Sequence, residues 1–338
     1  MDLNTAWFLL VGILIIGYAV LDGFDLGVGV LYFFLGKNAR DKQILRSTIG
    51  PIWDGNEVWL LTGGGALFAA FPVVYSTAFS GFYLALMLVL FGLILRAVSI
   101  EYLHRTDSPE LTSIMDKMFF IGSFLPALLY GVAMGNVVQG LPLTSDQYYA
   151  GTFLQLLNPY ALLLGVLGLS AFIMHATNFV LVKTEGEIYQ RAQKVAYKFW
   201  FAFFILYVLA TVYSIFATPK LFASYAANPV LYAVPAVTWI FMLAIPFLQR
   251  ARKYGFALIS SGVSIAGMIL ILAAGLYPNI LPATDPALSL NIYNASSSQL
   301  TLKTMLIIAL VGMPVVLFYT TYVYRVFKGK VGLEEEGY

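Results

Sequence analysis

Apolar residues fall along this chain in long, nearly unbroken stretches, with few of the alternating or three-to-four-residue intervals that mark one-sided strands and helices. Nine stretches stand out, at about 5–36, 57–74, 79–101, 117–139, 153–182, 197–217, 229–248, 255–277 and 302–326. A helix crossing a bilayer needs about 20 mainly apolar residues, so each stretch predicts one span. Polar connections between them are short, the longest being about 278–301. No extramembrane domain fits in loops of that size. The pattern predicts an all-α integral membrane protein with about nine transmembrane helices.

Composition agrees. Hydrophobic residues make up 60% of the 338 and charged residues 11%, against roughly 25% charged in a soluble domain. The first stretch opens with Met1 and Asp2, is too long, and lacks an A-x-A exit, so it reads as a retained span and not as a cleaved leader. Cysteine is absent, which excludes disulfides and thiolate metal or cluster sites. No basic patch suits a nucleic acid.

Charge placement gives the orientation. Of the 19 Lys and Arg, all but Lys220 and Lys303 lie in the loops after spans 1, 3, 5 and 7, at the neighbouring span ends, or in the C-terminal tail; Arg105 in the loop after span 3 is one of them. The positive-inside rule then predicts the N-terminus outside and the C-terminus in the cytoplasm.

Small residues recur within spans (Gly23, Gly27, Gly29, Gly63 to Gly65, Gly131, Gly135, Gly262, Gly267), as expected where helix backbones pack closely in lipid. Pro126, Pro235, Pro246 and Pro314 lie in or near span interiors and each removes one helix hydrogen bond.

Ionisable groups inside lipid are costly and mark function. Asp22 and Asp25 lie in Asp22-Gly-Phe-Asp25, and their i, i+3 spacing shares one helix face. Asp25 lies about 27 Å beyond Trp7 at 1.5 Å per residue, near the inner edge of the hydrocarbon layer. The second span begins from the same side with Trp53-Asp54-Gly55-Asn56-Glu57-Val58-Trp59, and Arg96 and Glu101 end the third. Four carboxylates thus gather near one guanidinium. They can be solvated interfacial groups or first-turn helix acids. They can also pass protons, with Asp54 the favoured carrier and Glu57 and Arg96 beside it, or bind a cation through Asp22, Asp25 and Asn56. Trp53, Trp59 and Glu101 are expected to support the site. Only two histidines exist, His104 in a loop and His175 in the fifth span; a bis-histidine haem needs two well-placed imidazoles and a haem–copper centre needs more. No haem or other redox centre is expected on this chain, and no metal apart from that candidate cation.

These segments resemble a known family. Asp22-Gly-Phe-Asp-Leu-Gly-Val-Gly29, Trp53-Asp-Gly-Asn-Glu-Val-Trp-Leu60 and Gly64-Gly-Ala-Leu-Phe-Ala-Ala70 are similar to subunit II of cytochrome bd quinol oxidase. Gly122-Ser-Phe-Leu-Pro126, Gly135-Asn-Val-Val-Gln-Gly140, Gln155-Leu-Leu-Asn-Pro159 and Ser297-Ser-Gln-Leu-Thr301 fit it too. The resemblance implies two four-helix bundles, over 1–140 and 150–278, plus a peripheral ninth helix over 300–327. It implies a partner subunit I holding haems b558, b595 and d, with quinol and dioxygen as substrates of the complex. Membrane lipid and a small accessory subunit are further implied partners. This chain would support haem assembly in subunit I and contribute cytoplasmic proton uptake through Asp54. An ion- or proton-coupled secondary transporter and a purely structural scaffold remain the alternatives.

Overall fold

The structure, a computed structural model, describes residues 2–102 and 108–331; His104 and Arg105 lie outside the described residues. It is built of helices: α1 Leu3–Leu35, α2 Ala39–Ile49, α3 Trp53–Ala70, α4 Pro72–Gly81, α5 Tyr83–Tyr102, α6 Pro109–Gln139, α7 Pro159–Lys183, α8 Gly186–Ala217, α9 Ala223–Ala227, α10 Ala233–Arg250, α11 Tyr254–Leu276 and α12 Gln299–Val326. Among the described residues, eight are long and apolar enough to cross a membrane: α1, α5, α6, α7, α8, α10 with the turn before it, α11 and α12. The chain is a multi-pass membrane protein.

The ninth expected span takes a different form. The apolar run at 57–74 does not continue as one helix: α3 ends at Ala70, Phe71 leaves helical geometry, and α4 starts at Pro72. Proline disfavours helical backbone in the residue before it and has no N–H to donate. At 18 residues, α3 still reaches about 27 Å.

α1 sits at the centre. Helices pack in the order α3–α1–α6–α5 and α8–α7–α11–α10, and the two groups meet where α1 and α6 lie on α7. Every residue from Asp22 to Tyr32 is buried, so this part of α1 is covered all round, which explains its lack of a polar face. Close approach requires glycine at the seams. A side chain at Gly27 would strike the Phe172 carbonyl of α7, and one at Gly122 would come within 2.6 Å of the Arg96 backbone nitrogen on α5.

The loop after α11 closes one end. It forms a small antiparallel pair, β1 Asn279–Leu281 and β2 Leu290–Asn291, and buries Leu281, Leu290 and Ile292 against Trp7, Phe71 and Leu141. Two of the segments quoted above serve as caps. Ser297 donates from its backbone N–H to the Ala70 carbonyl (2.9 Å) and from its hydroxyl to the Ala69 carbonyl (2.6 Å), satisfying carbonyls at the open end of α3. Asn158 caps α7 by accepting from Ala161 N (2.9 Å) and reaches Asn136 of α6 (3.1 Å). α12 is peripheral: it touches α1 and α3, and most of its side chains, among them Ile308, Val311, Phe318 and Tyr322, are exposed.

Candidate functional site

Asp22 and Asp25 project from the buried stretch of α1 and are both fully excluded from solvent. Arg96 of α5, equally buried, donates from Nη2 to Asp22 Oδ1 (2.7 Å) and to Glu57 Oε2 of α3 (3.2 Å). Trp53 lies with its ring 5.9 Å from the Arg96 guanidinium carbon. Asn56, also buried, donates from Nδ2 to Asp25 Oδ2 (2.8 Å) and to the Leu21 carbonyl (3.3 Å). Four buried atoms here have no hydrogen-bond partner: Asp22 Oδ2, Asp25 Oδ1, Arg96 Nε and Arg96 Nη1.

The structure therefore brings Asp22, Asp25, Asn56, Glu57, Arg96 and Trp53 together. It separates the remaining three. Asp54 is exposed on the first turn of α3. Residues two apart on a helix face opposite ways, so once Asn56 points at Asp25, Asp54 points outward. Glu101 follows Arg96 by five positions, which turns it off that face, and it is exposed near the end of α5. Trp59 is buried against Leu14 and Tyr18 and fills the space beside Gly17, packing helices and not the acids.

Further participants escape a reading of the sequence. Tyr324 of α12 donates to Asn56 Oδ1 (2.8 Å). One turn from Asp22, the Tyr18 and Tyr130 hydroxyls share a hydrogen bond (2.8 Å). About 15 Å further along α1, Asp116 of α6 accepts from Tyr32 (2.6 Å), Lys42 (2.6 Å) and Arg46 (3.2 Å). Burial pushes the Arg46 guanidinium down to about 10, so it stays cationic at neutral pH. Asp41 of α2 also accepts from Arg191 of α8 (2.5 Å). Their partners lie 70 or more positions away in sequence, beyond any local spacing rule.

A profile described as cytochrome bd terminal oxidase subunit II matches residues 3–327. The chain belongs to that family. Cytochrome bd-I ubiquinol oxidase subunit 2 of Escherichia coli (strain K12) is 37% identical over 98% of this chain and 96% of its own length. Cytochrome bd ubiquinol oxidase subunit 2 of Bacillus subtilis (strain 168) is 34% identical over 99% and 98%. In fold, the chain matches a chain of the bd oxidase from Geobacillus thermodenitrificans with a TM-score of 0.80 at 14% identity, over 97% of this chain and 99% of that one. As a member of the subunit II family the chain is part of an oxidoreductase complex.

Haem is implied by the family, and His175 does not suit it. Its Nδ1 is 2.6 Å from the Ser261 hydroxyl and its Nε2 is 3.0 Å from the Val20 carbonyl. Both ring nitrogens are engaged between α7, α11 and α1, leaving no lone pair for iron. Among the described residues no group of three His, Asp or Glu is placed to hold a metal ion.

Proposed function

We propose that this chain is the haem-free subunit II of a bd-type quinol:dioxygen oxidoreductase, supporting the haem-bearing subunit I and feeding it protons from the cytoplasm. The observation that carries the proton role is the charge balance at the site. Asp22 and Glu57 share a single guanidinium and Asp25, on the same helix face as Asp22, has no cation of its own; a low-dielectric interior does not hold three carboxylates against one cation. The three carboxyls are therefore not all ionised at once, and one of them is the group proposed to take up and release a proton. Asp54 sits exposed one turn before Glu57 and is the entry group of the route, with Asp22 and Asp25 beyond it. The relatives named as cytochrome bd ubiquinol oxidase subunits support quinol as the electron donor of a haem-bearing complex; haems b558, b595 and d are proposed to lie in subunit I.

The distribution of Lys and Arg supports a cytoplasmic α2 and C-terminus, an external N-terminus and insertion in the prokaryotic inner membrane. The two packing groups and the peripheral α12 support a division at 1–140, 150–278 and 300–327. The exposed apolar faces of α3 and α12 fit docking to subunit I, with lipid or a small accessory subunit on the remaining perimeter.

The test is co-purification with the partner, an optical spectrum, and quinol-driven oxygen consumption of Asp54→Asn. Haem bands from a larger co-purifying chain with turnover reduced at least tenfold are expected. Intact bands with full turnover reduce the chain to a scaffold. Solute uptake by vesicles containing this chain alone makes it a transporter.

A further inference from the structure

The hydrogen bonds that reach Asp25 from the peripheral helix all run in one direction. Tyr324 on α12 donates to Asn56 Oδ1 (2.8 Å), and Asn56 Nδ2 donates to Asp25 Oδ2 (2.8 Å) and the Leu21 carbonyl (3.3 Å). Asn56 has no freedom to turn over. A flipped amide would set its oxygen against the Leu21 carbonyl oxygen and present its N–H groups to Tyr324. One oxygen of Asp25 is thereby occupied, and Oδ1 is left without a partner, as is Oδ2 of Asp22. These open oxygens belong to carboxyls three residues apart on one helix face.

We infer that Tyr324 is a positioning residue: by fixing the Asn56 amide it sets which oxygen of Asp25 stays open for proton exchange, and so ties α12 to the proton step. The inference rests on the proton role proposed above. Tyr324 acts through Asn56 and touches no substrate. α12 is anchored at its start, where Trp7 donates to the Leu302 carbonyl (2.9 Å) and Gln299 donates to Asn4 Oδ1 (2.8 Å), while most of its side chains are exposed. The Tyr324 bond couples it to the acids. Any shift of this helix is therefore felt at Asp25 through two hydrogen bonds. An open surface groove, lined by Leu21, Thr320, Thr321, Tyr324, Arg325 and Lys328, lies between α1 and α12 beside this contact.

The test uses the assembled oxidase carrying Tyr324→Phe, which deletes one hydroxyl. Losing one hydrogen bond of about 1 kcal/mol corresponds to roughly a fivefold change. A quinol-driven oxygen consumption rate lower by about three- to tenfold is expected, at unchanged haem content, with a displaced pH–rate profile. The charged and titratable groups around Asp25 are Asp22 on α1, Glu57 and the outward Asp54 on α3, Arg96 on α5, Tyr130 with Tyr18 across α6 and α1, and Tyr324 with Arg325 on α12; the variant removes none of their charges. The infrared carboxyl band that disappears in Asp25→Asn is expected to move in Tyr324→Phe. Asn56→Gln, which keeps the amide but displaces it by one methylene, is expected to act in the same way.

Parent-like rate, pH profile and infrared band in Tyr324→Phe overturn the inference. So does a loss of yield with full turnover per haem, which marks a packing residue only. If Tyr324→Phe does not assemble, Asn56→Gln decides by the same readouts. Full turnover in Asp25→Asn sinks the underlying proton reading, whereas loss there with parent-like Tyr324→Phe sinks the positioning inference alone.

Discussion

Two charged clusters lie about 15 Å apart along α1, and their bookkeeping is opposite. Around Asp22, three carboxyls gather near one fully buried guanidinium, and four polar atoms lack partners. Around Asp116, two cations and a tyrosine hydroxyl converge on one carboxylate, both of whose oxygens are satisfied. Lys42 and Arg46 there keep about a fifth to a quarter of their side-chain surface exposed. The second cluster is what a structural clasp requires: every acceptor filled, and the cations still partly solvated. It fastens α2 to α1 and α6, while the Asp41–Arg191 pair fastens α2 to α8. The first cluster is poorly designed as a clasp. Excess buried acid with open oxygens is a cost to stability, and its retention makes sense for a group whose task is to exchange a proton.

The sharpest way to break this contrast is Arg96→Leu. It leaves Asp22 and Glu57 without their cation inside the bundle, a change that costs about 3–5 kcal/mol for a buried pair. Loss of assembled complex, read from the haem absorbance of purified membranes, is expected. Adding Asp22→Leu should restore much of the yield but not turnover. Full yield in Arg96→Leu alone would mean that the acids are already neutral or wet.

Next in size is Asp25→Asn. Asp25 has an amide donor and no ion-pair partner, so its replacement is expected to leave the melting temperature unchanged or higher while turnover falls at least tenfold. A matching loss of stability would put Asp25 in the same class as Asp116. For the clasp the expected result is reversed. Asp116→Asn weakens two charge-assisted contacts to partly solvated cations, about 1–2 kcal/mol after screening, lowering the melting temperature by a few degrees with turnover per haem unchanged.

Only the Asp22 side of this contrast is legible in the residues, for reasons that also mark where reading stops. Spans are legible because lipid imposes length and apolarity on each independently. The Phe71–Pro72 break was missed because hydropathy counts proline as a tolerable residue while the backbone loses a donor there. α2 reads as a loop because it has no apolar run; its signal is Asn38, whose side chain accepts from Asp41 N (2.8 Å). The i, i+3 rule found Asp22 and Asp25. The same geometry, applied to Asp54 and Asn56 at i, i+2, already separates the carrier expected at the site from the amide that faces it. Tyr324 was out of reach: it meets Asn56 across 268 positions, a contact made only when α12 docks.

A carboxylate at the far end of α1 supplies the solvated reference for both clusters. Asp2 is exposed, caps α1 by accepting from Thr5 N (2.7 Å), and is held below the usual carboxylate value mainly by that backbone hydrogen bond. A lowered folded value means that the unfolded chain binds the proton more tightly. The cap therefore contributes fully above the ordinary aspartate value of about 3.9 and is lost as pH falls through the lower folded one. Amide exchange at Thr5 is expected to quicken across that acidic window and to be fast at all pH values in Asp2→Ala, with no effect on turnover. Because it is the smallest of these effects and the most exposed to salt, it also calibrates the others. An Asp25 that titrated like Asp2, in the same window and with the same salt dependence, would be in contact with bulk water, and the difference drawn between the buried acids and the clasp would vanish.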